Sequence, residues 1–532
     1  MKRTLVLLLV LAVAAGVFAG GGKEAAAPSA AAERLPSFVR NNLTEPQGLD
    51  PVSIQGVPEH NIYMALFEGL VSYHPETLKA VPGVAESWTL SNDGTTVTFK
   101  LRRGAVWSDG TPITAQQFVD SWLRFLNPDT AAEYAYMVNM VIKGAEAYNS
   151  GEGGPEAVQI RAVDDHTFQV DLVGPAPYAV DMMAHYAFAV HPLHVIQKHG
   201  QDWTRPGNLV SNGPFVLKEW IPNDKIVVVK NDKYWDAANV RLGQITFLPI
   251  EDENTAVNLY LEGSVDWIEQ VPDARLDEMK LHLTYNHAPA FITYYYLVNT
   301  TRKPFDDVRV RKALAMAIDR KEIVEKVTRG GQFPAYGMTP PLAGIYPAVV
   351  AFKEDAETAR RLLAEAGFPG GRGFPQFTIL YNTHEGHKRI AEYVQQKWSE
   401  VLGLRVQIEN QEWKTYLDNR FSQNFDVARA GWQGDYVDPN TFLDMFICNS
   451  EMNDGKWCNP AYDELIYKAA RMPDGKERYD TLRRAEEILV GQDMGVIPFY
   501  FYTRTNWIDL NKWGGWHENI LDVHPYKNIY RK

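Results

Sequence analysis

Hydrophobic and polar positions along this chain switch repeatedly between a period of two and a period of three to four. Thr96-Val97-Thr98-Phe99-Lys100-Leu101 alternates strictly, as does the stretch from His166 to Leu172, and each predicts a strand with one covered face. Ile226 to Val229 and Ile245 to Leu248 are continuous apolar runs instead, the pattern of strands covered on both faces. Farther along, Val310, Ala313, Leu314, Ala317 and Ile318 recur at helical spacing behind the capping candidates Asp306 and Asp307. That run carries on through Ile323, Val324 and Val327 to a stop at Gly330-Gly331. Ile390, Tyr393, Val394, Trp398, Val401 and Leu402 predict a helix that stops at Gly403 and leads into a strand around Val406 to Ile408. Short strands alternating with amphipathic helices define an α/β protein.

At 532 residues the chain exceeds what one core serves, so two or three domains are expected. It carries no internal repeat and no charge run long enough for a disordered linker, which predicts lobes sharing several crossing strands. The first residues change the setting. Met1-Lys2-Arg3 precede an almost wholly apolar run to Phe18, the pattern of a secretory signal peptide ending near Ala19, and residues 20–33 read as a flexible spacer. Both cysteines lie far downstream of that run, so no lipid anchor is expected and the mature protein is placed outside the cytoplasm, in a periplasm. Removing Lys2 and Arg3 takes the formal charge from −13 to −15, which argues against a nucleic-acid partner.

The search for reactive chemistry finds little. No Gly-x-Ser-x-Gly, phosphate-binding loop or dinucleotide fingerprint is present. His384-Glu385-Gly386-His387 spaces its histidines three apart rather than four, so neither metal nor cofactor is expected. Cys448 and Cys458 stand close enough to close a short-loop disulfide in an oxidising compartment, where the chain-entropy model gives about 3 kcal/mol. A supply of 14 Trp and 26 Tyr suits a lined ligand cavity as well as a core. One carboxylate, Asp435, sits between Trp432 and Tyr436, and a carboxylate among aromatics suits a primary ammonium because the pair is poorly screened there. The adjoining Asp438-Pro439-Asn440 is turn chemistry, which leaves a plain surface turn as the competing reading.

Several segments taken together settle that competition. Leu66-Phe67-Glu68-Gly69-Leu70, Pro82-Gly83-Val84-Ala85-Glu86-Ser87-Trp88, Trp107-Ser108-Asp109-Gly110-Thr111-Pro112, Asn212-Gly213-Pro214-Phe215, Tyr234-Trp235, Asp307-Val308-Arg309-Val310-Arg311 through Asp319-Arg320, Asn410-Gln411-Glu412-Trp413-Lys414-Thr415 and the stretch from Arg429 to Leu443 run in order over nearly the whole mature chain. They resemble the periplasmic oligopeptide-binding proteins of ABC importers, extracellular solute-binding protein family 5.

The resemblance implies a two-lobed, three-domain periplasmic-binding-protein-like fold that encloses its ligand. Domain I takes residues 34–67, 195–290 and 503–532, domain II 68–194, and domain III 291–502. It implies a monomer without enzymatic activity that captures peptides of about two to five residues with a free N-terminus and delivers them to the permease subunits of an ABC importer. The alternatives are the same fold binding a cell-wall peptide or another solute and, further off, a secreted hydrolase.

Carried over by position, Asp435 receives the peptide ammonium, and Gly431, Gln433 and Val57 pair with its backbone. Trp413, Trp432, Tyr134 and Tyr295 line side-chain pockets, and Arg420, Arg429 and His387 are candidates for the peptide carboxylate. Two departures stand out. The family's disulfide positions are occupied by Ile292 and Gln433, and Gln55 stands where the family can have an acid, so that pocket should select basic side chains less.

Overall fold

The computed structural model describes residues 35–532; the expected signal peptide and spacer lie outside the described residues. Two strands outlast all the others and organise what is described. Tyr285–Val298 and Val496–Ile508, 14 and 13 residues long, pair antiparallel. Register shifts between Pro289 and Thr293 and between Tyr294 and Tyr295 bend the pair. To one side of it the sheet continues through Trp267–Ile268, Ser37–Asn41, Gln244–Leu248, Lys225–Lys230 and Phe215–Ile221. To the other side it continues through Val427–Gln433, Phe377–Asn382 and Val406–Gln411. Residues 36–532 form one compact unit, and crossing strands rather than linkers tie it together.

A separate four-stranded antiparallel sheet orders Ala85–Leu90, Thr96–Leu101, Thr167–Asp171 and Ile160–Asp164. Period two is obeyed in Thr96–Leu101: Val97, Phe99 and Leu101 are buried, while Lys100 is exposed. Helix Ala115–Leu126 lays Phe118, Trp122 and Phe125 on that face, with the Trp122 and Phe168 rings edge to face at 5.0 Å.

Three expectations need correction or refinement. In Lys225–Lys230, Ile226, Val227 and Val228 are buried as a doubly covered strand should be, but Val229 is only half-buried. Gln244–Leu248 alternates instead, with Ile245 and Phe247 in the main core and Thr246 and Leu248 half-buried. The helical run after Asp307 is not one helix. Val308–Met316 ends at Ala317, and the Asp319 side chain accepts from the Glu322 amide to start a new turn. The cause is Arg320, whose buried guanidinium donates to the Ala315, Ile318 and Pro498 carbonyls. The donation to Ala315 occupies a helix carbonyl that a continuing turn would otherwise use. Glu385–Leu402 forms as the spacing predicts, opened by the His384 ring on the Gly386 amide and closed by Gly403 at φ 72°.

Candidate ligand-binding cavity

A cavity of about 380 Å³ lies against the edge of Val427–Gln433. This strand pairs along its whole length with Tyr285–Val298, Gln433 opposite Ile292, but meets Phe377–Asn382 only at Val427 and Ala428. Its second edge is therefore uncovered by another strand beyond Ala428. The Gly434 amide donates to the Phe291 carbonyl at 2.9 Å, so by the alternation of a strand the even residues turn toward the partner strand. Gly431 and Gln433 turn their amides and carbonyls the other way, toward the cavity both residues line. The Arg429 carbonyl, on that same edge, is already taken by the Tyr416 hydroxyl. What remains is a short strand edge ready for an extended chain. A Cβ at 431 would stand 2.9 Å from the Arg429 guanidinium, so a larger residue there would push that side chain aside.

Asp435 follows immediately. Its side chain is 10% exposed, its amide donates to the Thr441 hydroxyl at 3.0 Å, and its Oδ1 lies 3.3 Å from His185 Nε2. His185 Nδ1 accepts from the Ala187 amide, which leaves the proton on Nε2, and burial pulls this histidine down to about 3, so the ring beside Asp435 is neutral. Asp435 Oδ2 is buried with no partner among the described residues. Burial pushes the carboxyl well above the usual carboxylate range, outweighing an opposing pull from the neighbouring Thr441 hydroxyl. Around it stand aromatics: Tyr134 lies between the His185 ring at 4.8 Å and the Trp432 ring at 6.1 Å. The turn is present: Asp438 caps Pro439–Phe442 and holds buried Arg478 through both oxygens at 2.7 and 2.8 Å, which fixes the segment that carries Asp435.

The cationic candidates separate. Arg429 lines the cavity, donates to Asn382 at 3.3 Å and to the Tyr502 hydroxyl at 3.2 Å, and has no carboxylate partner among the described residues. Burial opposes its charge, but the Tyr502, Tyr294 and Tyr416 phenols outweigh it and hold the guanidinium above its ordinary value. Arg420 also reaches the cavity, but Asp454 takes its Nε and Nη2, so its charge is already matched. His387 lines the cavity stacked 4.3 Å from His384; burial and then Arg429 hold it well below its usual value, so it offers a hydrogen bond and no charge. No group of three metal-ligating side chains occurs among the described residues.

Gln55, Val57, Trp413 and Trp432 all line the cavity. Tyr295 does not: it is 1% exposed, and register turns its ring to Phe446 at 6.1 Å, away from its neighbour Tyr294, which lies against Arg429. Gln433, at a family disulfide position, instead bonds the Leu521 carbonyl and accepts from Arg504. Cys448 and Cys458 are joined, closing the loop that brings Met452 to the cavity and Asp454 to Arg420. Sequence reasoning missed His185, His60, Tyr186 and Glu269, all cavity-lining. No motif marks them, and only the long-range packing of residues 57–66 and 178–188 against 432–436 brings the first three together.

A sheet whose halves share two long strands, with a cavity walled from both halves, defines a two-lobed protein that encloses its ligand. The model for bacterial extracellular solute-binding proteins, family 5, matches residues 79–454, and the chain belongs to that family. It is 39% identical over 510 residues to the periplasmic oligopeptide-binding protein OppA of Salmonella typhimurium, covering 93% of this chain and 92% of that one. The structure superposes on Haemophilus influenzae OppA in complex with the peptide RPPGFSPFR with a TM-score of 0.89 at 36% identity, covering 94% and 99% of the two chains. For the Escherichia coli murein tripeptide-binding protein MppA, 39% identical, the TM-score is 0.89 over 94% and 99% of the chains. Against the unliganded open form of MppA it falls to 0.64, over 94% and 98%. The lobes here are therefore not in that open arrangement.

Proposed function

We propose that this protein is a periplasmic solute-binding protein that captures short peptides between its lobes and delivers them to the permease of an ABC importer. The observation that carries the reading is the order of groups along one strand. A buried carboxylate with an unpartnered oxygen, Asp435, is followed back along the chain by the open backbone edge of Gln433 and Gly431, and then by the carboxylate-free guanidinium of Arg429. At ~3.3 Å per residue the edge from Arg429 to Gln433 spans roughly 13 Å, the length of about four extended residues. The ammonium at Asp435 and the carboxylate toward Arg429 make the peptide run antiparallel to Val427–Gln433. Backbone pairing supplies affinity without reading side chains, which suits a receptor for many sequences.

Three arguments support the assigned roles. A free N-terminus satisfies Asp435, whereas an acylated one would leave a buried carboxylate unpaired. Trp413, Trp432 and Tyr134 present the faces that apolar side chains bury against. The cavity lies within the usual ~300–1,000 Å³ of small-ligand sites. The reading contains no covalent step, in keeping with a family of binding proteins. Native mass spectrometry of freshly purified protein tests it: bound masses should resolve into short peptides, and a single non-peptide species would overturn it.

A further inference from the structure

The part of the cavity wall at the end of strand Ser37–Asn41 carries a second carboxylate site, and this inference rests on the peptide-capture reading. Strand Ser37–Asn41 is flanked by two parallel neighbours, Gln244–Leu248 with Asn41 opposite Leu248, and Trp267–Ile268 with Arg40 opposite Trp267. Because all three run the same way, the residues that follow them emerge at one carboxyl end, where open α/β sheets place ligands. Asn41, Ile250, Glu251 and Glu269 all line the cavity there. The Asn41 amide nitrogen donates to the Ile250 carbonyl at 3.2 Å and fixes one flank.

Glu269 is set for recognition. Its side chain is 4% exposed, and its Oε1 accepts from Arg40. Arg40 cannot follow a ligand, being held by the Tyr526 hydroxyl at 2.8 Å and the Asn41 carbonyl at 3.2 Å, with its guanidinium 3.9 Å from the Trp267 ring centre. The carboxylate is thereby oriented while Oε2 has no partner among the described residues. A buried acceptor in that state is costly until a donor arrives. Arg504, also cavity-lining, does not reach it as a partner, since it pairs with Asp522 at 3.1 Å and with Gln433. On the other flank Glu251 receives only the Thr44 hydroxyl at 2.7 Å and makes no ion pair among the described residues. Arg40 balances Glu269, so Glu251 leaves this wall negative.

We infer that Glu269 and Glu251 form a subsite for a cationic side chain of the bound peptide, lysine or arginine, with Glu269 the specificity-determining contact. The acid replaced by Gln55 at one pocket is thus answered by acids elsewhere on the cavity wall. The test uses the full mature protein and alanine-based tetrapeptides with a free N-terminus, in which lysine or the uncharged isostere norleucine is placed at each position in turn. Calorimetry should show one position where lysine binds about 10- to 100-fold tighter than norleucine, the scale of a hydrogen bond between charged groups. In Glu269→Gln that ratio should fall toward one while the norleucine peptide keeps its affinity, and Glu251→Gln should lower the ratio partially. A lysine preference that survives Glu269→Gln overturns the assignment. So do equal affinities at every position in the unaltered protein, a result that stands whether or not the variant folds. Failure of all the peptides to bind would instead sink the peptide reading, so the two failures are distinguishable.

Discussion

At the scale of single residues, the account turns on a carboxylate kept at a cost. Asp435 is buried beside a neutral histidine, and its protonation is favoured until an ammonium arrives. Binding must then expel a proton, so affinity falls as pH drops through the raised value. Calorimetry below the raised value, in buffers of different ionisation enthalpy, should report proton release on peptide binding, and Asp435→Asn should abolish that release. The variant should also lose about 3–5 kcal/mol of binding free energy, as when one partner of a buried pair is removed. Stability without ligand moves the other way. A folded-state value above the unfolded one gives stability that is fully present at low pH and is lost as pH rises through the folded value. Thermal melts of ligand-free protein should therefore show Asp435→Asn gaining on the original as pH rises. Asp438 is the opposite case, since Asp438→Ala strands a buried guanidinium at Arg478. Urea unfolding should register a loss of about 3–5 kcal/mol.

At the scale of elements, the strand edge at Gly431 and Gln433 sets what the protein can read. A peptide N-methylated at an amide that pairs with this edge should bind about 1–3 kcal/mol more weakly, the cost of leaving a carbonyl unsatisfied, whereas methylation at an amide pointing elsewhere should cost little. A titration series with the methyl moved along the peptide checks this. Sequence showed much of the element inventory. Thr96–Leu101, Lys225–Lys230 and Glu385–Leu402 follow from local periodicity and caps. It did not show the break at Ala317, because the deciding interactions come from Arg320 and, in part, from Pro498, a carbonyl 178 residues away. For the same reason Tyr295 looked like a wall residue: the aromatic run from Tyr294 to Tyr296 reads alike until register puts alternate rings on opposite faces. Asp435 was legible as a carboxylate among aromatics, while His185 and Glu269 belong to the cavity only through the topology.

At the scale of the whole molecule, recognition and closure are one event on the proposed reading. His185 and Tyr134 complete the Asp435 environment from one part of the chain while Trp432 comes from another. Beyond the cavity the same seam stacks Tyr178 on Tyr436 at 4.9 Å and joins the Tyr467 hydroxyl to Glu146 at 2.8 Å. The open form of a relative differs from this arrangement far more than its other structure does, with TM-scores of 0.64 and 0.89. On the proposed reading, an ammonium that pairs with Asp435 stabilises the closed lobes directly, and a peptide without one has no such hold. The most direct test is calorimetry of the same tri- to pentapeptides with free and with acetylated N-termini. The account predicts that acetylation weakens binding by about 1–3 kcal/mol, the cost of leaving a buried polar group without its hydrogen-bond partner. Equal affinity for the two forms would contradict it.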